Sequence, residues 1–147
     1  MYSLLLVLHI LGATIWTGGH IVLSCAVLPR VLRERSPQRL IDFEQAYEKI
    51  GMLALLVQVV TGLMLAYQFL PDLSQWMDFS NPLVHLLMFK LTLLLITVLF
   101  ALDARFRVLP GFDEHRIVSM AWHIIPVTIL SILFVIAGVS LRAGWLF

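Results

Sequence analysis

Imidazole is the side chain in this sequence whose number and placement could hold a metal or a haem iron. His9 and His20 stand in the apolar stretch LHILGATIWTGGHIVLSCAVLPR, residues 8–30, with Trp16 between them. At ~100° per residue the step from His9 to His20 returns to within about 20° of the same helix face, and Trp16 shares that face. Gly12, Ala13 and Gly19 flank the stripe with little or no side chain. A flat group such as a porphyrin, or a neighbouring helix, could therefore lie against the backbone there. His85, His115 and His123 follow later in the chain. Lys90 sits inside another apolar run, where its ammonium either snorkels to the surface or pairs with an anionic group such as a haem propionate or a substrate carboxylate. Cys25 has no CxxC partner and is expected to be a small packing residue.

These residues need a scaffold, and composition says which. Of 147 residues 61% are hydrophobic and 13% charged, and mean hydropathy is +0.96. An ordinary globular domain is about half apolar. The reading is an all-α integral membrane four-helix bundle with N-out/C-out topology, one transmembrane domain over residues 1–147. The length leaves room for four crossings and no separate soluble domain. The first helix is expected to be retained, since the N-terminus lacks the basic segment and cleavage site of a signal peptide. A net charge of +1 and the lack of any nucleic-acid motif leave nucleic acid out of the expected partners; the bilayer is the first of them.

Hydropathy and helix breakers place the spans at residues 3–28, 50–70, 83–102 and 117–141, with Pro29, Pro71, Pro82 and Pro110 at or beyond their ends. Leu40, Phe43, Ala46, Tyr47 and Ile50 recur at helical spacing among Asp42, Glu44 and Glu48. The second helix is thus expected to begin near Pro37 and to protrude from the membrane. Gln58, Thr61 and Gly62 suit close helix packing with one interhelical hydrogen bond. Pro110-Gly111 reads as a turn.

Eight of the ten basic residues lie on one side: Arg30, Arg33, Arg35, Arg39, Lys49, Arg105, Arg107 and Arg116. That side should be cytoplasmic. The expected location is the inner membrane of a bacterium, with the loop of Asp72, Trp76 and Asp78 facing the periplasm, and Trp76 and Trp145 in an interfacial aromatic belt. With this orientation His9 and His85 fall near the outer side and His20 and His123 near the inner, while His115 is expected to be solvated. Each pair takes one imidazole from the first helix and one from another, which is how a four-helix bundle holds a b-type haem by two axial ligands. The plainer alternative for any one of them is a hydrogen bond to a neighbouring helix.

The segments LHILGATIWTGGH…LPR, EKIGMLALLVQVVTGLMLA and FKLTLLLITVLFALDARFR resemble the CopD family of copper-resistance membrane proteins and, more distantly, the HemJ-type protoporphyrinogen oxidases, in order over nearly the whole chain. The resemblance implies four membrane helices with functional histidines. On the CopD side it implies copper, and on the HemJ side bound haem b with redox chemistry on a porphyrinogen. The matching positions are His9, Trp16, Pro29-Arg30, Thr61-Gly62 and Lys90. His123, in AWHIIP, stands where HemJ-type proteins more usually carry an acidic NExP-like stretch.

Haem ranks above copper, because Cu(I) handling favours thiolate and thioether ligands, Cys25 stands alone and the methionines show no clustered spacing. The expectation is a small cytochrome b-like carrier or oxidoreductase with one or two haems. Its candidate ligands are His9, His20, His85 and His123, and its further cofactor contacts are Trp16, Lys90 and Arg30. A membrane or periplasmic electron donor and acceptor would serve it. A copper-binding protein of the CopD type and a HemJ-like oxidase, in which Lys90 or Arg30 would hold propionates, are the alternatives. A homo-oligomer is compatible with each.

Overall fold

The computed structural model describes residues 1–144, except the side chains of Leu141 and Arg142; Trp145 lies outside the described residues. The elements are helices α1 (Tyr2–Val22), α2 (Leu28–Glu34), α3 (Pro37–Phe69), α4 (Pro82–Asp103) and α5 (Ile117–Ala143), with π turns at Leu23–Val27 and Ala104–Val108 and short 3₁₀ turns at Leu73–Met77 and Glu114–Arg116. Four continuous helical stretches are long and apolar enough to cross a membrane: Tyr2–Glu34, Pro37–Phe69, Pro82–Val108 and Glu114–Ser140. The chain is an all-α, multi-pass membrane four-helix bundle. Its apolar outer surface suits lipid: Leu4, Leu53, Leu56, Leu95, Leu99 and Ile129 are all exposed.

The first stretch departs from expectation. A helix ending at Leu28 would use Pro29 as its stop; instead the chain stays helical through Pro29 to Glu34. Proline lacks an N–H and its ring crowds the preceding turn. The π turn at Leu23–Val27, one residue wider than an α turn, lies immediately ahead of it and takes up that mismatch. The connection to α3 is then only Arg35, in left-handed backbone at φ 48°, and Ser36. As expected, α3 begins at Pro37, with Leu40 buried and Phe43 packed against the core.

The core lies at the end of the bundle that carries the basic residues. Leu23, Leu28, Val31, Leu40, Val108, Ile117, Met120 and Ile124 meet there from all four stretches. At the opposite, acidic end, Trp76 donates its indole N–H to the Leu70 carbonyl at 2.9 Å. Asp72 and Asp78 accept the backbone N–H groups of Ser74 and Ser80. Those hydrogen bonds, for Asp78 above all the Ser80 hydroxyl, hold both carboxyls below the ordinary range.

Side by side the helices run in the order α3, α1, α5, α4, with the longest seam between α1 and α3 and no comparable seam between α3 and α4. The small residues of α1 make the first seam possible. A Cβ on Gly12 would stand 2.9 Å from the Ala54 carbonyl oxygen and 2.8 Å from Gln58 Cγ, and one on Gly19 would fall inside the Tyr47 ring. The flat group against this stripe is thus α3 itself, Tyr47 included. Gly12→Leu should destabilise the fold by about 1–3 kcal/mol, because a backbone carbonyl cannot step aside. Gly18→Leu, with nothing within 4 Å, is the matched control. Thermal unfolding followed by circular dichroism in detergent measures both.

Candidate functional site

The stripe of α1 that carries His9, Trp16 and His20 faces α3. His9 Nδ1 lies 3.1 Å from the Gln58 carbonyl and 3.0 Å from Thr61 Oγ1. Thr61 in turn donates to the Val57 carbonyl at 2.6 Å, so it accepts from His9. Nδ1 therefore carries the hydrogen, and Nε2 keeps a bare lone pair. Gly62 leaves room for the ring, since a Cβ there would come within 3.1 Å of His9 Cε1. An imidazole held through Nδ1–H to a carbonyl, with Nε2 free, is the arrangement of a metal-ligating histidine. It is also the arrangement of a histidine that only joins two helices, and such bonds average about 0.6 kcal/mol in membranes.

His20 is held within its own helix. Its Nδ1 donates to the Trp16 carbonyl at 2.9 Å. Its ring packs on the buried Trp16 indole, centroids 4.4 Å apart, and meets Tyr47 edge-on at 6.2 Å. Tyr47 donates its hydroxyl to the Ile15 carbonyl at 2.9 Å. These aromatic contacts fill the space beside His20.

Interhelical bonds fix the depths. Thr17 donates to the Ser131 carbonyl and Thr128 to the His20 carbonyl, so three residues down α1 match three residues up α5. Thr128 is thus the α5 residue level with His20. His123, five residues further, lies roughly 7 Å nearer the basic end at ~1.5 Å per residue. The expected level pairing of His20 with His123 is off by that amount. His123 is moreover committed twice, with Nδ1 2.8 Å from the Ser119 carbonyl and Nε2 2.6 Å from Asp103 Oδ2.

The same count puts Gly138 near the level of His9. Lys90 Nζ lies 3.7 Å from where a Gly138 Cβ would be. Lys90 makes no hydrogen bond or ion pair among the described residues. The group beside His9 in depth is therefore Lys90 rather than His85, which lies five residues, again roughly 7 Å, nearer the acidic end. His85 is exposed and stacked on Phe79, centroids 6.5 Å apart. Arg30 is exposed at the basic end, 21 residues from His9 in the chain, which is roughly 30 Å along the helix. It cannot reach the same ligand as Lys90 around His9. His115 is exposed as expected, and Cys25, expected to pack, is exposed instead.

One cleft of about 380 Å³ opens at the basic end between Ile41, Glu44, Glu48, Arg105 and Phe112, and one of about 170 Å³ lies between α1 and α3, floored by Gly12. Neither is lined by histidine. Among the described residues no three of His, Cys, Asp and Glu come close enough together to hold a metal ion. For haem, Nε2 of His9 and of His20 are both without a hydrogen bond among the described residues, but His9 has a cation at its level while Trp16 and Tyr47 pack about His20, and no two-histidine sandwich is assembled.

Asp103 is the residue that sequence reading missed. It stands one residue past the span expected at 83–102, and nothing in its local sequence marks it as a partner for His123. Compared with known family models, curated proteins and solved structures, the chain matches none.

Proposed function

We propose that this chain is a haem b-binding membrane redox protein that holds one haem with His9 Nε2 as an axial ligand and Lys90 as the counter-charge to a propionate. The observation that carries this reading is the His9 imidazole, fixed by Gln58 and Thr61 through Nδ1 with Nε2 unspent, at the depth of a lysine without a partner among the described residues. Haem would supply one-electron chemistry there. The chain's own part is to orient the ring, offset the propionate charge and keep the neighbourhood apolar.

In this reading the basic end is cytoplasmic, the membrane is the inner membrane of a bacterium, and a membrane or periplasmic donor and an acceptor complete the circuit. A HemJ-like porphyrinogen oxidation would use the same residues. Purified protein should show a Soret band and, on adding dithionite, a sharp α band of b type, with about one haem per chain. Colourless protein carrying stoichiometric copper would replace this reading with the CopD-type one.

A further inference from the structure

In the wall of the bundle a buried imidazole meets a carboxylate that the His9 reading leaves unused. His123 is 8% exposed, and both of its ring nitrogens face acceptors. The Ser119 carbonyl can only accept, so Nδ1 carries a hydrogen. On the other side, Asp103 Oδ2 receives Nε2 at 2.6 Å and also Arg107 Nη2 at 2.8 Å. That oxygen accepts from the Arg107 guanidinium in an ion pair, which is the geometry of a carboxylate. A carboxylate also only accepts, so Nε2 carries a hydrogen too, and the ring is an imidazolium. A buried charge of this kind persists only when paired.

We propose that Asp103 and His123 form a proton-holding site in the wall of the bundle, one that takes up and returns its proton through the basic end only. The sidedness follows from what surrounds the pair. The Asp103 side chain is 35% exposed and that of Arg107 is 74% exposed, beside the π turn at Ala104–Val108, so water reaches the carboxylate from the basic end. Towards the acidic end Phe100 closes on the ring edge-on at 5.8 Å. Beyond it Ile124 and Val127 are buried. The next polar side chain along α5 is Thr128, whose hydroxyl is given to the Ile124 and His20 carbonyls. Among the described residues no hydrogen-bonded chain leads from His123 towards the acidic end.

The charged surroundings are simple. Arg116, from the turn before α5, is committed to the carbonyls of Arg107 and Pro110 at 3.1 and 2.7 Å. Among the described residues Asp103 is the one charged side chain bonded to His123, and Arg107 the one other bonded to Asp103.

The test needs no haem and reads the proton directly. Full-length protein labelled with ¹⁵N-histidine, in proteoliposomes at neutral pH, should give one imidazolium signal with both nitrogens protonated, absent from His123→Gln. Asp103→Asn should convert it to a neutral ring protonated at Nδ1, while Asp103→Glu should restore the imidazolium. On an oriented bilayer, infrared difference spectra should show the imidazolium lost when pH is raised on the basic-end side and unchanged when it is raised on the other. A neutral His123 in the unmodified protein, or a response to the acidic-end bath, overturns the proposal. Because the unmodified chain gives the first answer, it does not depend on a variant's folding.

Discussion

His9→Ala should leave the purified protein without haem absorbance, whereas His85→Ala and His123→Ala should keep about one haem per chain by pyridine haemochrome. In the proposed reading this change removes the ligand nitrogen itself, an Nε2 with no hydrogen-bond partner among the described residues. His85 is exposed against Phe79, and His123 already serves Ser119 and Asp103. Thr61→Val probes the support rather than the ligand. It removes one of two acceptors for Nδ1–H and leaves the Gln58 carbonyl, so haem should remain but bind about 10-fold more weakly, the low end of what outer-shell partners contribute. His20→Ala separates one haem from two: its Nε2 has no hydrogen-bond partner among the described residues, but Trp16 and Tyr47 pack about the ring, so haem content should not fall. If all four alanine variants retain full haem, none of these rings is an axial ligand and the proposal fails.

What the sequence disclosed, and what it withheld, follows from the range of each interaction. Hydropathy is local, so four helices were legible, as was the early start of α3 at Pro37, where Leu40, Phe43 and Tyr47 recur every three or four residues. A proline rule is also local, but its usual outcome can be reversed by neighbours. At Pro29 the π turn just ahead absorbs the lost hydrogen bond, so the helix runs on to Glu34. The face shared by His9, Trp16 and His20 was legible from period alone. That α3 covers it was not, because Gly12 and Gly19 admit any flat partner and the choice between porphyrin and Tyr47 is tertiary. Depth was the weakest inference. Counting from span ends carries an error of several residues, enough to match His20 with His123 and to overlook Asp103, whereas the bonds from Thr17 to an α5 carbonyl and from Thr128 to an α1 carbonyl fix the register to one residue. At the level of His9 the expected interhelical hydrogen bond in the Gln58–Gly62 stretch is present, from His9 to the Gln58 carbonyl and Thr61, whereas the expected pairing with His85 is not.

A reporter active only in the cytoplasm should be fully active when fused after Arg35 or Pro110 and silent after Asp72, an all-or-none difference. Eight of the ten Lys and Arg residues lie at the end formed by α2, the start of α3 and the α4–α5 turn, and the loop of Asp72 and Asp78 has none. Each positive charge resists translocation, whereas acidic residues contribute little. The surface ion pairs among those residues, Arg39 with Glu34 at 2.6 Å and Arg105 with Glu48 at 3.3 Å, are exposed and worth at most about 1 kcal/mol, so they do not cancel the bias. With that reporter result the two sites would take opposite sides, His9 and Lys90 towards the periplasm of the proposed inner membrane and Asp103 and His123 open to the cytoplasm. An inverted pattern, silent after Arg35 and active after Asp72, would leave every distance in the bundle unchanged but would put the haem edge on the cytoplasmic side. The proton held by His123 would then exchange with the periplasm.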